Sequence, residues 1–303
     1  IVNVAEVSYT LSEDVASMTV TWHYGSASYT ASLTGDDLLQ GPHTDVALNL
    51  GSPLVSGNVY NLEFEATDAA GNQAETVNTS TGVTFDNTKP EIIIISPGLS
   101  SAVKVAEVSY TLSEDVASMT VTWNDGTTTL TANITGDDLL QGPHTDVALT
   151  LDNPLVSGNV YNLEFEATDA AGNQAETVNT STGVTFDNTK PEIIIISPGL
   201  SSAVKVAEVS YTLSEDVASM TVTWNDGTTT LTANITGDDL LQGPHTDVAL
   251  TLDNPLVSGN IYNLEFDATD AAGFQAVTVG TSTGVTFDNT KPIISAVSPD
   301  RRS

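Results

Sequence analysis

The sequence predicts an all-β protein of three tandem β-sandwich domains, arranged as an extended rod. Three observations predict it: an internal repeat about one domain long, short segments in which apolar and polar residues alternate, and turn-forming residues between those segments. The repeat is marked by its tryptophans, Trp22, Trp123 and Trp224, each 101 residues from the next. This period is too long for a solenoid repeat and matches the usual size of an independent domain.

The repeat divides the chain into four segments. We assign the first copy to residues 1–87, the second to 88–188, the third to 189–289, and residues 290–303 to a spare segment that is similar to an opening strand. Copies two and three are nearly identical, which indicates recent duplication within a longer array. The first copy lacks residues that match "EIIIISP" at 91–97, so we expect it without its first strand.

Each copy shows the period-two alternation of half-buried strands, as along residues 60–67 and at Val46, Leu48 and Leu50. The sequence "NDG" at 124–126 predicts a hairpin turn, and "GDDLLQGP" predicts one helical turn and nothing longer. In the second copy we assign strand A to Glu91–Pro97, B to Val105–Ser113, C to Met119–Trp123, F to Tyr161–Thr168 and G to Gly183–Phe186.

The order of the aromatic residues makes the fold class more specific. A tryptophan lies on the third strand of each copy, and a tyrosine opens the sixth, as in the tyrosine corner of immunoglobulin-like sandwiches. The chain has no cysteine. We therefore predict immunoglobulin-like domains in which apolar packing replaces the disulfide between the sheets.

The composition excludes several partners. Lys and Arg number 7 against 39 Asp and Glu, a formal net charge of −32, so the chain lacks the basic surface that nucleic acid or an anionic membrane requires. No apolar run approaches the roughly 20 residues of a membrane-spanning helix. Without cysteine, neither a disulfide framework nor a thiolate metal site is available.

Acidic residues are expected to meet where one copy joins the next. In this topology strand G leads into the end of the next domain at which its B–C and F–G loops lie. The segment "DNTKP", 86–90, is then the joint, which Pro90 stiffens. The loops "SED", 113–115, and "DAAGN", 169–173, converge on it.

A hard divalent cation is the counter-charge that such a junction requires. Two carboxylates about 5 Å apart repel by roughly 3 kcal/mol at an effective dielectric of 20. Calcium accepts six to eight oxygen ligands from flexible loops, whereas magnesium needs a tighter octahedron and zinc prefers His or Cys. The alternative is that these loops are ordinary solvated acidic turns. The sequence "GDD" at 35–37, 136–138 and 237–239 is interpreted as a helix cap or turn cap.

The motif "YNLEFEATDAAGN" followed by "VTFDNTKPEI" resembles the tandem bacterial Ig-like repeats of giant surface adhesins. These are type I-secreted, often RTX-bearing proteins of Gram-negative bacteria, and the resemblance covers all three copies. It implies an extracellular extender, a rod rigidified by Ca²⁺ between domains, with roles in cell adhesion and biofilm formation. The resemblance adds a ligand set for each ion.

Around the first ion the resemblance places Asp86, Asn87, Glu114, Asp115, Asp169 and Asn173, and around the second Asp187, Asn188, Glu215, Asp216 and Asp270. Copy three departs from the pattern, because Phe274 stands where copy two has Asn173. If that asparagine is a ligand, the second site is weaker; if it only shapes the turn, little changes. Half-junctions are expected at the two ends of the chain, from Glu13, Asp14, Asp68 and Asn72 at one and from Asp288 and Asn289 at the other.

Two functional classes remain open, a structural spacer and an adhesive module that itself binds a glycan or protein. The near-identity of the copies and the inward positions of Trp and Tyr favour the spacer, with neighbouring repeats as the partners. No enzyme is expected, since "HTD" at 43–45, 144–146 and 245–247 fits the opening of a strand better than a catalytic site. We expect a monomer, with a weak head-to-tail contact in which residues 293–298 dock on copy one of another molecule.

Overall fold

The computed structural model describes residues 1–79, 81–180, 183–281 and 284–295. The chain folds into two compact units. The first comprises Ile1–Leu99, Ala106–Pro154 and Tyr161–Thr182, and the second Ser100–Val105, Leu155–Val160 and Gly183–Ser303. The boundaries assigned to the copies stay predictions. Residues 296–303 of the spare segment lie outside the described residues.

The described residues are all-β, which confirms the predicted fold class. The strands of copy one are β1 Glu6–Leu11, β2 Ser17–Tyr24, β3 Ala27–Ser32, β4 Gly41–Ala47, β5 Val59–Thr67, β6 Val77–Asn78 and β7 Val83–Thr84. Those of copy two are β8 Ile92–Ser96, β9 Ala102–Val103, β10 Glu107–Leu112, β11 Ser118–Asn124, β12 Thr129–Ile134, β13 Gly142–Ala148, β14 Val160–Thr168, β15 Val178–Asn179 and β16 Val184–Phe186. Those of copy three are β17 Ile193–Ser197, β18 Ala203–Val204, β19 Glu208–Leu213, β20 Ser219–Asn225, β21 Thr230–Ile235, β22 Gly243–Ala249, β23 Ile261–Thr269, β24 Val279–Gly280 and β25 Val285–Phe287.

Copy three shows the sandwich within one compact unit. One sheet has the order β17-β19-β22, and the other β18-β25-β23-β20-β21, with β24 also paired to β23. Strand β18 runs parallel to β25, whereas β23 pairs antiparallel with both β20 and β25. In immunoglobulin nomenclature these sheets are A-B-E and A′-G-F-C-C′, so the B–C and F–G loops lie beside each other at one end.

The core of copy three is an apolar cluster without a disulfide, as predicted. Trp224 is fully buried, and its ring meets that of Tyr262 edge-on, with centroids 5.9 Å apart. Tyr211 and Phe266 pack in the same way at 6.2 Å. Because the inward-facing residues of both sheets contribute, the cluster holds the two sheets together.

The predicted tyrosine corner is confirmed. In copy one the backbone N–H of Val55 donates to Tyr60 Oη at 2.8 Å, and in copy three that of Val257 donates to Tyr262 Oη at 2.9 Å. Both tyrosines are buried at the start of their strands, β5 and β23. The bond fixes the loop that precedes strand F against the core.

Replacing Tyr60 with phenylalanine is expected to lower the free energy of unfolding by about 1 kcal/mol, because the Val55 N–H loses its acceptor while the ring remains packed. Tyr29→Phe is the matched control, since Tyr29 packs edge-on against Tyr60 and its hydroxyl has no hydrogen bond among the described residues. Urea denaturation of both variants measures the difference. Equal losses would show that the hydroxyl of Tyr60 does not stabilise the corner.

Three details refine the predicted elements. The "NDG" segment does form a hairpin, in which Asn124 pairs with Thr129 across a four-residue loop, 125–128. "GDDL" forms a 3-10 turn in each copy, at Gly35–Leu38, Gly136–Leu139 and Gly237–Leu240. In copy three strand G has two parts, β24 and β25, which pair with strand F in different registers.

One predicted strand face is only partly right. Strand β4 ends at Ala47, so of the three residues proposed for this face only Val46 lies in the strand. Leu48 and Leu50 still pack against the core from the following loop, where the Leu48 N–H donates to Ala5 O at 2.8 Å. The alternation of apolar residues therefore continues past the end of strand β4, because the following loop also packs against the core.

Candidate metal sites

The linker segment 86–90 begins with Asp86, whose carboxylate is held in place by hydrogen bonds from nearby residues. Asp86 Oδ1 accepts hydrogen bonds from Thr88 Oγ1 at 2.7 Å, Ser56 Oγ at 2.8 Å and Thr88 N at 3.1 Å. These bonds, the Thr88 hydroxyl above all, lower the pKa of Asp86 and keep it ionised. Asp187 is held in the same way by Thr189 and Ser157.

The B–C loop of copy two presents its two acidic residues differently. Ser113 is tied to the segment after the linker, because its Oγ accepts from Glu91 N at 2.8 Å and its N–H donates to Glu91 O at 3.1 Å. Glu114 is half-buried beside the linker. Asp115 is exposed, and its Oδ1 instead accepts from Gln141 N at 2.7 Å.

The F–G loop contributes a buried carboxylate. Asp169 is 4% exposed, and its Oδ1 accepts the backbone N–H groups of Ala171 and Asn173, both at 2.8 Å. The Asn173 side chain donates from Nδ2 to Asp169 Oδ2 at 2.8 Å and to the carbonyl oxygen of Asp86 at 2.9 Å. One asparagine therefore ties the F–G loop to the linker.

Two groups of three carboxylates result. Oxygens of Asp86, Glu114 and Asp169 all lie within 4.8 Å of one another, and we call this group the Asp86 cluster. The equivalent group, which we call the Asp187 cluster, consists of Asp187, Glu215 and Asp270. Each cluster lies inside one compact unit.

The clusters are electrostatically unfavourable as they stand. Burial raises the pKa of Glu114, and the nearby carboxylates of Asp86 and Asp169 raise it further. The Lys89 ammonium does not compensate them, since it pairs with Glu176 at 2.6 Å. Like charges held this close by hydrogen-bonded loops are what a bound cation would stabilise.

Asp270 gives independent support for a cation site. It is 3% exposed, and its Oδ1 accepts from Phe274 N at 2.8 Å. Its Oδ2 is buried and has no hydrogen-bond partner among the described residues. A buried carboxylate oxygen without a partner is energetically costly, so the residues present fit a hard cation at this position.

Several other predicted ligands form hydrogen bonds with residues outside the two clusters. Asn87 and Asn188 are exposed, and their backbone N–H groups donate to Ser56 and Ser157. Asp216, like Asp115, accepts a backbone N–H, that of Gln242 at 2.6 Å. These residues stay predictions as ligands.

The expected half-junctions do not form a three-carboxylate group within the described ranges. Asp68 is held by Asn72 through three hydrogen bonds, and Asp14 accepts from Gln40 N at 2.7 Å. The remaining members are Glu13, which is exposed, and Asp288 and Asn289, which bond to Thr290 and Ser258. Their role in binding stays a prediction.

Sequence reasoning missed the residues that orient the carboxylates. Ser56 and Thr88 hold Asp86, and Ser157 and Thr189 hold Asp187. A threonine two residues after an aspartate is a signal for such a turn, and it is present in "DNT". The serine comes from the loop before strand F, 30 residues away, and has no comparable signal.

The "HTD" motif is structural. It forms the third to fifth residues of β4, β13 and β22, so it belongs to a strand as predicted but does not open it. His144 Nε2 is 2.8 Å from Leu140 O, and its ring packs on Tyr110. Both contacts place the imidazole against its own domain, and His144 is not a member of the Asp86 cluster.

The fold and the site together define a tandem immunoglobulin-like protein with carboxylate clusters at the starts of its linker segments. Residues 53–87 and 154–188 match the model of a family described as bacterial Ig-like domain. Each match runs from the loop before strand F to the second residue of the linker segment. These two segments are thus similar to bacterial Ig-like domains, which confirms the predicted resemblance to bacterial Ig-like repeats.

Several solved structures are similar to the chain. One is a tetra-tandem repeat in the extending region of a large adhesion protein, at 21% identity and a TM-score of 0.32, covering 95% of this chain and 71% of that one. Another is from a 1.5-MDa bacterial ice-binding adhesin, at 17% identity and a TM-score of 0.27, covering 93% and 91%. The FN1–FN3 domains of chicken CNTN1 match at 11% identity and a TM-score of 0.36, covering 92% and 94%. No curated protein matches the sequence.

In the part of the chain that the structure describes, no helix has the length and apolar character needed to cross a membrane.

Proposed function

We propose that this chain is a structural extender segment of a large bacterial cell-surface adhesin, and that calcium bound at its linker segments stiffens it. One observation carries the proposal: the same three carboxylates, one from a linker segment and two from the loops of the following copy, come within 4.8 Å of one another twice, 101 residues apart. Like charges this close repel one another, so a cation bound between them would stabilise the arrangement.

The donor set suits calcium. Asp86, Glu114 and Asp169 would hold one ion, and their counterparts in the Asp187 cluster a second. All donors are hard oxygens, and the imidazole of His144 is engaged in its own domain. Calcium accepts such mixed oxygen sets from loops, whereas zinc favours nitrogen and sulfur.

Bound calcium would connect the linker segment to the next domain. Without it, each carboxylate pair in a cluster repels by roughly 3 kcal/mol at an effective dielectric of 20. A divalent ion reverses the sign of that interaction, so the linker and the two loops attract one another. The junction then resists bending, which is what a spacer requires.

The surface of the copies supports a spacer rather than an adhesive module. The three tryptophans and five of the eight tyrosines are buried, so few aromatic side chains are exposed to bind a glycan or a protein. The net charge of −32 keeps the surface hydrated and repels copies of itself. We accordingly propose an extracellular, non-enzymatic, monomeric segment of a Gram-negative, RTX-type adhesin.

Isothermal titration of calcium into the intact chain tests this function. We expect two ions per chain, and one after either Asp169→Ala or Glu114→Gln, because each change removes a carboxylate from the Asp86 cluster. Glu114→Gln preserves the shape of the side chain, so it covers the case in which Asp169→Ala disturbs the loop. Circular dichroism checks that both variants fold.

Asp137→Ala is the matched control, since it removes the same charge from an exposed 3-10 turn. It is expected to leave two ions bound with unchanged affinity. If Asp137→Ala and Asp169→Ala weaken calcium binding equally, the effect is one of net charge and the assigned site is wrong.

A further inference from the structure

The loops that supply the two clusters differ at the fifth residue of the F–G loop, which is Asn173 in copy two and Phe274 in copy three. In the Asp86 cluster, Asn173 donates to Asp169 Oδ2 at 2.8 Å and to Asp86 O at 2.9 Å. Two oxygens that a cation would use are thus already hydrogen-bonded. The asparagine also provides a tie between loop and linker that needs no metal.

The Asp187 cluster lacks this tie. Phe274 occupies the corresponding position and offers Asp270 only its backbone N–H, at 2.8 Å to Oδ1. Asp270 Oδ2 is left buried and has no hydrogen-bond partner among the described residues. In the absence of a cation this cluster therefore bears a buried carboxylate oxygen without a hydrogen-bond partner, and no such buried oxygen is found among the described residues of the Asp86 cluster.

A second metal-independent contact is also specific to the first cluster. There Lys89 Nζ pairs with Glu176 Oε1 at 2.6 Å, joining the linker segment to the F–G loop. In copy three Val277 replaces Glu176 and is 77% exposed. The linker between copies two and three thus lacks the two contacts that join the first linker to the F–G loop of the next copy, the Asn173 hydrogen bond and the Lys89 ion pair.

The ring of Phe274 contacts the ammonium group of Lys104, which does not neutralise the cluster. Lys104 Nζ lies 5.4 Å from the centroid of the Phe274 ring. Within the described residues Lys104 forms no ion pair with a carboxylate at 4.0 Å or less. In copy one the residue at the matching position is Asn3, near Gly172 of the F–G loop.

We propose that the two calcium sites are unequal, with the Asp187 cluster binding more tightly, and that residue 173 or 274 sets the difference. A side-chain amide at this position competes with the cation for the buried carboxylate oxygen, whereas phenylalanine leaves that oxygen to the cation and covers it from water. This rests on the function proposed above. The inequality makes the stiffness of the linker between copies two and three more dependent on calcium than that of the linker between copies one and two.

Calcium titrations of single-site variants test the proposal. Glu215→Gln leaves the Asp86 cluster as the intact site, and Glu114→Gln leaves the Asp187 cluster. We expect the Asp187 cluster, retained in Glu114→Gln, to bind calcium about tenfold more tightly than the Asp86 cluster retained in Glu215→Gln. The reason is that its unpaired buried oxygen is costly in the calcium-free state. Differential scanning calorimetry with calcium gives a second readout, the shift in melting temperature.

Exchanging the loop residues then assigns the cause. Phe274→Asn in the Glu114→Gln background should weaken binding about tenfold, and Asn173→Phe in the Glu215→Gln background should strengthen it. Lys104→Asn introduces the residue that copy one has at this position. With this change the Asp187 cluster should still bind calcium more tightly than the Asp86 cluster. If Lys104→Asn removes the difference instead, the lysine rather than the phenylalanine sets it and the proposal is wrong.

The remaining outcomes are distinct. Equal affinities at the two sites, or changes opposite to those expected when Asn173 and Phe274 are exchanged, would overturn the inequality while leaving the calcium function intact. Such opposite changes would mean that the asparagine oxygen is itself a ligand. Absence of calcium binding in both single-site variants and in the unmodified chain would overturn the proposed function itself, and this inference with it.

Discussion

Chelating calcium is expected to lower the melting temperature of the chain and to increase its flexibility. An ion that binds only the folded state adds about 2.7 kcal/mol when its free concentration is 100 times its dissociation constant. We expect dissociation constants in the micromolar to millimolar range of extracellular calcium modules. Scanning calorimetry with calcium and with a chelator measures the stability, and small-angle X-ray scattering measures the maximum dimension in the same two conditions.

The double variant Glu114→Gln with Glu215→Gln controls for effects of calcium outside the two clusters. Its melting temperature should not respond to calcium, because each cluster has lost the one carboxylate whose pKa is raised by burial and by its neighbours. An unmodified chain that melts at the same temperature and keeps the same dimension with and without chelator would contradict calcium stiffening. If the melting temperature of the double variant still responds to calcium, the ion binds outside the two clusters.

Trp224→Ala is expected to have the largest effect on stability, a loss of about 3–5 kcal/mol. The side chain is 0% exposed and packs against Tyr262 in the centre of the third copy. Its Nε1 has no hydrogen-bond partner among the described residues, so the loss comes from packing and from the cavity left behind. Against a total stability of about 5–15 kcal/mol for a domain, such a loss removes a large share of the stability of this copy.

Urea denaturation followed by circular dichroism measures this effect, and Ile261→Ala is the control. Ile261 belongs to the same copy but is 61% exposed, so its truncation should cost little. The transition of copy one, which belongs to the other compact unit, should not move. Comparable losses from the two substitutions would mean that Trp224 does not hold the two sheets together.

The sequence by itself determined the repeat, the strand order and the end of each domain at which the acidic loops lie. Period-two alternation predicted strand F at 161–168, and the structure places β14 at Val160–Thr168. Strand A at 91–97 became β8, Ile92–Ser96. These features are local or periodic, and a β-sandwich permits few arrangements of them, so residue order alone was sufficient.

Only the tertiary structure decided which acidic residues meet. Glu114 and Asp115 are adjacent and equally acidic, yet only Glu114 joins the cluster, because Gln141 from a loop 26 residues away binds the carboxylate of Asp115. The bond from Asn173 to the Asp86 carbonyl spans 87 residues, and the unpaired oxygen of Asp270 is visible only once Phe274 is seen to offer no side-chain donor. A side chain in a loop turns toward whichever partner the rest of the fold brings within about 3 Å, and sequence spacing does not specify that partner.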